Sequence, residues 1–269
     1  MNPGLSTYTY TWAFGVPGHI PENPMNLFQL IDKAFDNNLK VIQIADNFPL
    51  HLLSGEELDH LLTHAVSKGI VIEAGTRGLT VKNIRTYVAI AEKLHSGILR
   101  VVIDVPGFEP SLPEILAILK EIIPYLKEHN IMLAIENHDR FKSTEFAKMV
   151  TETDPEWVGI CLDSVNSMGA GEGIDEVLKT LAPYTINLHL KEFVIKRVSH
   201  KMGFIIEGCP LGQGMLPVSE LIQKVSTRCR SAILEQWTPP EETIEKTVEK
   251  EALWAEQSIK FLKAILKKN

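Results

Sequence analysis

Residues 131–138 read Ile-Met-Leu-Ala-Ile-Glu-Asn-His, five apolar side chains in a row and then a carboxylate, an amide and an imidazole. A strand with no apolar–polar alternation is buried on both faces, as a parallel strand is when helices cover it from outside. Ile98-Leu-Arg-Val-Val-Ile103 is nearly as apolar. Outward from these two, β-branched or apolar runs recur at 7–14, 40–46, 69–75, 98–105, 131–136, 157–163, 185–191 and 232–237, each followed by an amphipathic stretch. Eight units in 269 residues leave about 34 residues apiece, enough for a strand, a helix and two loops.

The intervening stretches have helical spacing. Leu27, Leu30, Ile31, Ala34 and Phe35 fall on one face, as do Ile244, Val248, Ala252, Ala255, Ile259 and Leu262. Ser54 with Glu57, and Ser111 with Glu114, read as reciprocal caps that open helices. Gly69 and Asn130 are placed to end helices, and Pro124 predicts a kink in the fourth helical stretch. No GxGxxG or GxxxxGK[ST] follows the first strand, which argues against a doubly wound nucleotide-binding sheet. The pattern predicts an α/β fold, a single (β/α)8 TIM barrel forming one domain over 1–269.

Lys and Arg number 27 against 34 Asp and Glu, a net charge of −7, which argues against a nucleic-acid partner. No apolar run reaches the roughly 20 residues of a membrane helix. No Lys or Arg precedes Lys33, so the basic leader of a secretory signal is missing. Cys161, Cys209 and Cys229 are too scattered for a disulfide framework or a CxxC knuckle. The expectation is a cytoplasmic protein with no membrane attachment.

In a barrel, functional groups sit where strands end at the C-terminal face. The last four strands end in Ala134-Ile-Glu136-Asn-His138, Ile160-Cys-Leu-Asp163, Asn187-Leu-His189-Leu-Lys191 and Ile233-Leu-Glu235-Gln. Each delivers a carboxylate or an imidazole to the mouth, and consecutive strands let these converge. Three carboxylates crowded together repel unless a cation neutralises them. Two Glu, one Asp and one His make a mixed O/N ligand set suited to Mn2+, Mg2+, Co2+ or Zn2+. Gly208-Cys-Pro-Leu-Gly-Gln-Gly214 can turn its backbone tightly against a ligand.

With those residues in view, the sequence resembles the xylose isomerase-like TIM-barrel superfamily, also known as the sugar phosphate isomerase/epimerase or AP endonuclease family 2. The resemblance is carried by Glu136-Asn-His138, Cys161-Leu-Asp163-Ser-Val-Asn166-Ser, His189-Leu-Lys-Glu192, Pro210-Leu-Gly-Gln-Gly214 and Leu234-Glu235. It implies one divalent metal ion, most often Mn2+, held by Glu136, Asp163, His189 and Glu235. It also implies that Glu136 and Glu235 act as catalytic bases on opposite faces of a carbon beside a carbonyl. The activity implied is isomerisation or epimerisation of a ketose, sugar acid or sugar phosphate through a cis-enediolate. Barrels of this kind are often dimers or tetramers, so a homo-oligomer is an open expectation.

Two positions depart from the epimerase pattern. Asn166 stands where those enzymes have a histidine, and Lys142 where they tend to have an acidic residue. Lys191, Lys196, Arg197, His200 and Lys201 form a basic segment in an acidic chain, which points to an anionic carbohydrate substrate. Lys142 in place of the acidic residue, together with Arg197, favours the alternative reading, a metal-dependent lyase: a decarboxylase of a 3-oxo sugar acid, or a dehydratase. The candidate substrate contacts are His138, Lys142, Asn166, Lys191, Arg197, His200 and Glu73, with Arg197 foremost for a carboxylate or phosphate. Gln43, Asp46, Arg77 and Asp104 are further strand-end candidates, and Trp12, Phe14 and Trp237 a candidate apolar wall.

Overall fold

The computed structural model describes residues 1–225 and 227–267. In chain order the first half comprises β1 (Asn2–Ser6), α1 (Thr11–Phe14), α2 (Leu27–Asp36), β2 (Val41–Ile44), α3 (Gly55–Ser67), β3 (Val71–Arg77), α4 (Val81–Lys93), β4 (Ile98–Val102) and α5 (Leu112–Glu128). The second half comprises β5 (Met132–Glu136), α6 (Ser143–Thr151), β6 (Val158–Asp163), α7 (Ile174–Leu181), β7 (Thr185–Leu190), β8 (Phe193–Arg197), β9 (Phe204–Gly208), α8 (Val218–Lys224), β10 (Ser231–Leu234) and α9 (Ile244–Leu266). Eight of the strands are parallel and close into a barrel in the order β1-β10-β7-β6-β5-β4-β3-β2. Strands β8 and β9 form a separate antiparallel hairpin.

The chain therefore folds as the expected (β/α)8 barrel, and seven of its strands overlap the runs read from sequence. The first does not. Residues 7–14 form a 3-10 turn (Thr7–Tyr10) and the short α1 instead of a strand. Ser6 and Thr9 cap each other there: the Ser6 hydroxyl accepts from the Tyr8 amide at 3.1 Å, and the Thr9 hydroxyl accepts from the Ser6 amide at 2.8 Å. Strand β1 lies earlier, in Asn-Pro-Gly-Leu-Ser, where Gly4 is required by close approach: a Cβ on it would lie 2.7 Å from Ile233 Cδ1 and from the Val41 carbonyl. The basic segment after β7 forms the β8–β9 hairpin.

Helix boundaries follow the local chemistry. At α3 the Ser54 amide donates to Glu57 at 2.7 Å and the Glu57 amide to Ser54 Oγ at 3.2 Å, which closes both halves of the cap. At α5 the Ser111 amide and hydroxyl both donate to the Glu114 carboxylate. Gly69 (φ +64°) and Asn130 (φ +54°) stop the preceding helices in the left-handed region. Helix α5 continues through Pro124. On α2, Leu27, Leu30, Ile31 and Ala34 are buried, whereas Phe35 is exposed beneath the Lys68 ammonium. On α9 the buried line runs through Thr247, Glu251, Ala255, Ser258, Ile259 and Leu262, so its inner edge is partly polar. Among the described residues no helix is long and apolar enough to cross a membrane.

The barrel register places the interior side chains. Asp163 pairs with His189, Glu136 with Cys161, Cys161 with Asn187, Asn187 with Ser231, and Gln43 with Glu73. Neighbours in register point to one side of the sheet, so these polar groups gather along the barrel axis.

Candidate metal centre

Strand ends β5, β6, β7 and β10 deliver Glu136, Asp163, His189 and Glu235 to one buried space; the four residues are between 0% and 1% exposed. His189 Nδ1 lies 3.4 Å from Glu235 Oε1, 3.5 Å from Glu136 Oε2 and 4.0 Å from Asp163 Oδ2. His189 Nδ1 and Glu235 Oε1 have no hydrogen-bond partner, although both are buried. Buried polar atoms are nearly always paired, so convergent unpaired ones need a ligand or an ion between them. Ligand atoms held about 2.1 Å from one ion are spaced at such separations. The residues fit a divalent cation on Asp163, His189 and Glu235, a set that can surround one point.

Glu136 is differently employed. Its Oε2 pairs with the Arg100 guanidinium, and its Oε1 accepts from Asn166 Nδ2 at 2.8 Å. Burial, the largest single influence, would raise its pKa, but Arg100, His189 and Lys191 together hold the carboxyl below its ordinary range. Arg100 comes from the middle of β4 and is 2% exposed; it also donates to Asp46 Oδ1 at 2.5 Å. Arg77 binds the other oxygen of Asp46 at 2.9 Å. A second possible cluster, Glu136 with Cys161 and His189, fits less well. Burial raises the Cys161 thiol far above its ordinary value, and its Sγ donates to Asn187 Oδ1, whereas a metal needs the thiolate.

Lys191 is buried beside the ligand set, its Nζ 2.7 Å from Asp163 Oδ2 and 2.9 Å from Glu235 Oε2. Burial would lower its pKa, yet Asp163 and Glu235 raise it well above the ordinary lysine value. For Glu235 the signs are reversed: burial raises the pKa, and His189, then Lys191 and Arg100, bring it below normal. Asp163 is oriented by its Oδ1, which accepts from the amides of Val165 and Asn166 at 2.9 Å each.

Above this set opens a cavity of about 360 Å³. Glu136, His138, Asn166 and Lys191 line it, together with Arg77, Arg100, Tyr8, Trp12 and Trp237. Trp12 is fixed by Nε1 donating to the Thr238 carbonyl at 2.8 Å. Tyr8 donates to Asp46 at 3.3 Å, and burial, then Asp46, push its phenol well above the ordinary range.

The remaining sequence candidates lie outside the cavity lining. Glu73 is buried in the barrel interior, bonded to Gln43, Asn187 and Ser231, and so is not placed to meet a substrate. Arg197 is exposed on β8, where its Nη1 donates to the Lys201 carbonyl at 2.9 Å and its guanidinium stacks 4.3 Å from the Phe204 ring centre. His200 accepts from the Met202 amide on the same hairpin, and Lys142 is exposed with its ammonium on the Ala170 carbonyl. The glycine loop wraps a side chain: Gly212 and Leu216 amides donate to the Glu192 carboxylate at 3.0 and 2.8 Å. Sequence reading missed Arg100 and Tyr8. The one signal for Arg100 was a lone charge inside the apolar run of β4, which needs a buried partner.

Comparisons with known proteins agree with this architecture. The family described as Xylose isomerase-like TIM barrel matches residues 60–265. A 3-oxo-isoapionate decarboxylase of Pectobacterium atrosepticum is 32% identical over 264 residues, covering 97% of this chain and 95% of that protein. A D-psicose 3-epimerase with D-tagatose from Clostridium cellulolyticum H10 superposes with a TM-score of 0.72 at 14% identity, covering 99% of each chain. A xylose isomerase-like TIM barrel protein from Mycobacterium smegmatis, in complex with magnesium, superposes with a TM-score of 0.68 at 12% identity over 97% of this chain and 96% of that one. At those identities the two structures speak to the fold alone.

Proposed function

Because this chain belongs to the xylose isomerase-like TIM barrel family, we propose that it is a metal-dependent lyase that releases CO2 from a 3-oxo sugar acid. The single observation that carries the reading is the buried Arg100–Glu136 pair. Inversion at a carbon needs two bases, one on each face. Glu136 has both oxygens engaged and is held below its ordinary pKa, which makes it a weak base. A 3-oxo acid asks for no such base: the carbon–carbon bond to the carboxylate breaks as its electrons move into the neighbouring carbonyl. The decarboxylase relative, alike over nearly the whole of both chains, supports the same reading.

Asp163, His189 and Glu235 would hold the metal, with Glu136 beside them on Arg100 and Asn166. A divalent cation there, Mn2+ by the family resemblance, supplies positive charge against the negative charge that develops on a substrate oxygen. The side chains do the rest. Arg77 and Lys191 give the cavity cations for a substrate carboxylate, and Trp12 and Trp237 shield it from water. Tyr8 and Lys191 stay protonated at neutral pH and are cavity groups that carry a proton for return to carbon. A small anionic carbohydrate is the partner this cavity takes.

The isomerase or epimerase reading stands second, and Glu235 favours it, since its unpaired Oε1 could accept a proton from carbon. Incubation with 3-oxo sugar acids and with ketoses in D2O, with Mn2+ or Mg2+, separates the two. The proposal expects CO2 in step with product and one solvent deuterium on the carbon that carried the carboxyl group. Deuterium entering a ketose with mass otherwise conserved and no CO2 overturns it.

A further inference from the structure

We propose that Glu73 is a positioning residue that decides which nitrogen of His189 is left free for a cation. The proposal rests on the reading of His189 as a metal ligand. Glu73 sits on β3 in the barrel interior, 5% exposed, and its carboxylate is satisfied by neutral donors. Ser231 Oγ donates to its Oε1 at 2.6 Å, and Gln43 Nε2 and Asn187 Nδ2 each donate to its Oε2 at 3.1 Å. Burial raises the Glu73 pKa against the Ser231 and Gln43 donors that lower it; ionised, the carboxylate can only accept, so the amide nitrogen of Gln43 faces it. Gln43 Oε1 then faces the other way, 2.7 Å from His189 Nε2.

An amide oxygen also only accepts, so the imidazole proton is held on Nε2. Nδ1, the atom that faces Glu235, Glu136 and Asp163, keeps its lone pair. Asn187 locks the same direction. Its Oδ1 accepts from Cys161 Sγ at 2.9 Å and from Gln43 Nε2 at 3.1 Å, while its Nδ2 donates to Ser231 at 2.7 Å. Turning over either amide would set an amide oxygen against the Glu73 carboxylate, acceptor against acceptor. A buried carboxylate costs free energy that neutral donors only partly offset, and here it gives the chain of hydrogen bonds one polarity. Partners of this kind, one step removed from a ligand histidine, change metal affinity by roughly 10- to 100-fold when altered.

The test reads the ring, so its outcome is independent of which reaction the loaded enzyme performs. In the metal-free chain labelled with 15N-histidine, at alkaline pH where imidazoles are neutral, long-range 1H–15N spectra should show His189 protonated at Nε2 and bare at Nδ1. In Glu73→Gln the new carboxamide offers a donor to Gln43, that amide is free to turn, and the spectra should show mixed tautomers. Mn2+ affinity, measured by chelator competition, should fall roughly 10- to 100-fold. A wild-type ring protonated at Nδ1 overturns the proposal, as does a folded Glu73→Gln with unchanged tautomer and affinity. If Glu73→Gln fails to fold, Gln43→Met decides: it removes the acceptor at Nε2 and should release the tautomer, and an unchanged ring overturns the proposal. A merely structural role for Glu73 would lower the melting temperature without moving the tautomer.

Discussion

Arg100 and Glu136, on adjacent strands β4 and β5, form an ion pair in the barrel interior with side chains only 2% and 1% exposed. An arginine there is costly to bury, and three acceptors share its charge: Glu136, Asp46 and, weakly, the Thr76 carbonyl. The pair ties the floor of the cavity to the carboxylate that the sequence suggested as a base.

Removing one partner should therefore be worse than removing both. Arg100→Met leaves Glu136 buried without its cation and Asp46 with Arg77 alone, and about 3–5 kcal/mol of unfolding free energy should be lost. Adding Glu136→Gln to that variant should recover part of the loss. Urea unfolding of the two singles and the double variant measures the coupling. A double variant as unstable as the sum of the singles would show that the pair makes no net contribution.

Glu235→Gln should weaken cation binding and abolish turnover, because it replaces a charged oxygen that has no other partner. The thermal signature is independent of substrate. Cation bound at 100 times its dissociation constant stabilises by about 2.7 kcal/mol, so Mn2+ should raise the melting temperature of the wild type and chelator should reverse it. The variant should show a smaller rise at the same Mn2+ concentration, and an equal rise would remove Glu235 from the ligand set.

The barrel was legible because burial on both faces writes continuous apolar runs into the sequence, as in Met132–Glu136 and Val158–Asp163. Strand β1 was not, since Pro3 and Gly4 are poor strand formers and Gly4 is chosen for closeness to Ile233 and Val41. The alternating Thr-Tyr-Thr-Tyr that follows looks like a strand, but the Ser6–Thr9 cap winds it into a turn. Glu136, Asp163, His189 and Glu235 could be found because strand ends at the mouth are predictable places. Arg100 could not be placed that way, for nothing local says whether a mid-strand cation points inward. The basic hairpin misled for the opposite reason: its charges are dense in sequence but spent locally, Lys196 on Glu207 at 2.6 Å and Arg197 against Phe204.

That contrast gives a paired test of where a substrate carboxylate binds. Arg77 lines the cavity and Arg197 lies outside its lining. Arg77→Ala should raise KM for an acidic substrate at least tenfold, the loss of one charge-assisted hydrogen bond of about 1.5–3 kcal/mol. Arg197→Ala should leave KM within about twofold, as a surface cation removed from a screened position does. The reverse ranking would bring the hairpin over the cavity in the working enzyme.

Glu251 on α9 supplies a pH dependence that can be followed without any substrate. Its two carboxylate oxygens accept from the amides of Trp12 and Ala13 at 3.0 Å each, which anchors α1 and with it the Trp12 wall of the cavity. Burial raises its pKa from 4.5 to about 7, and those backbone donors only partly offset the rise. The sign follows from proton counting. Between 4.5 and about 7 the folded chain holds a proton that the unfolded chain has released, so stability falls as pH rises through that window. A shift of that size corresponds to roughly 3 kcal/mol, fully present below the unfolded value and fully lost above the folded one. Glu251→Gln cannot ionise and should flatten the stability profile across the window, so that it compares better with the wild type at pH near 8 than near 5. Urea midpoints at a series of pH values measure it, and parallel profiles for the two proteins would show that Glu251 does not titrate in this range.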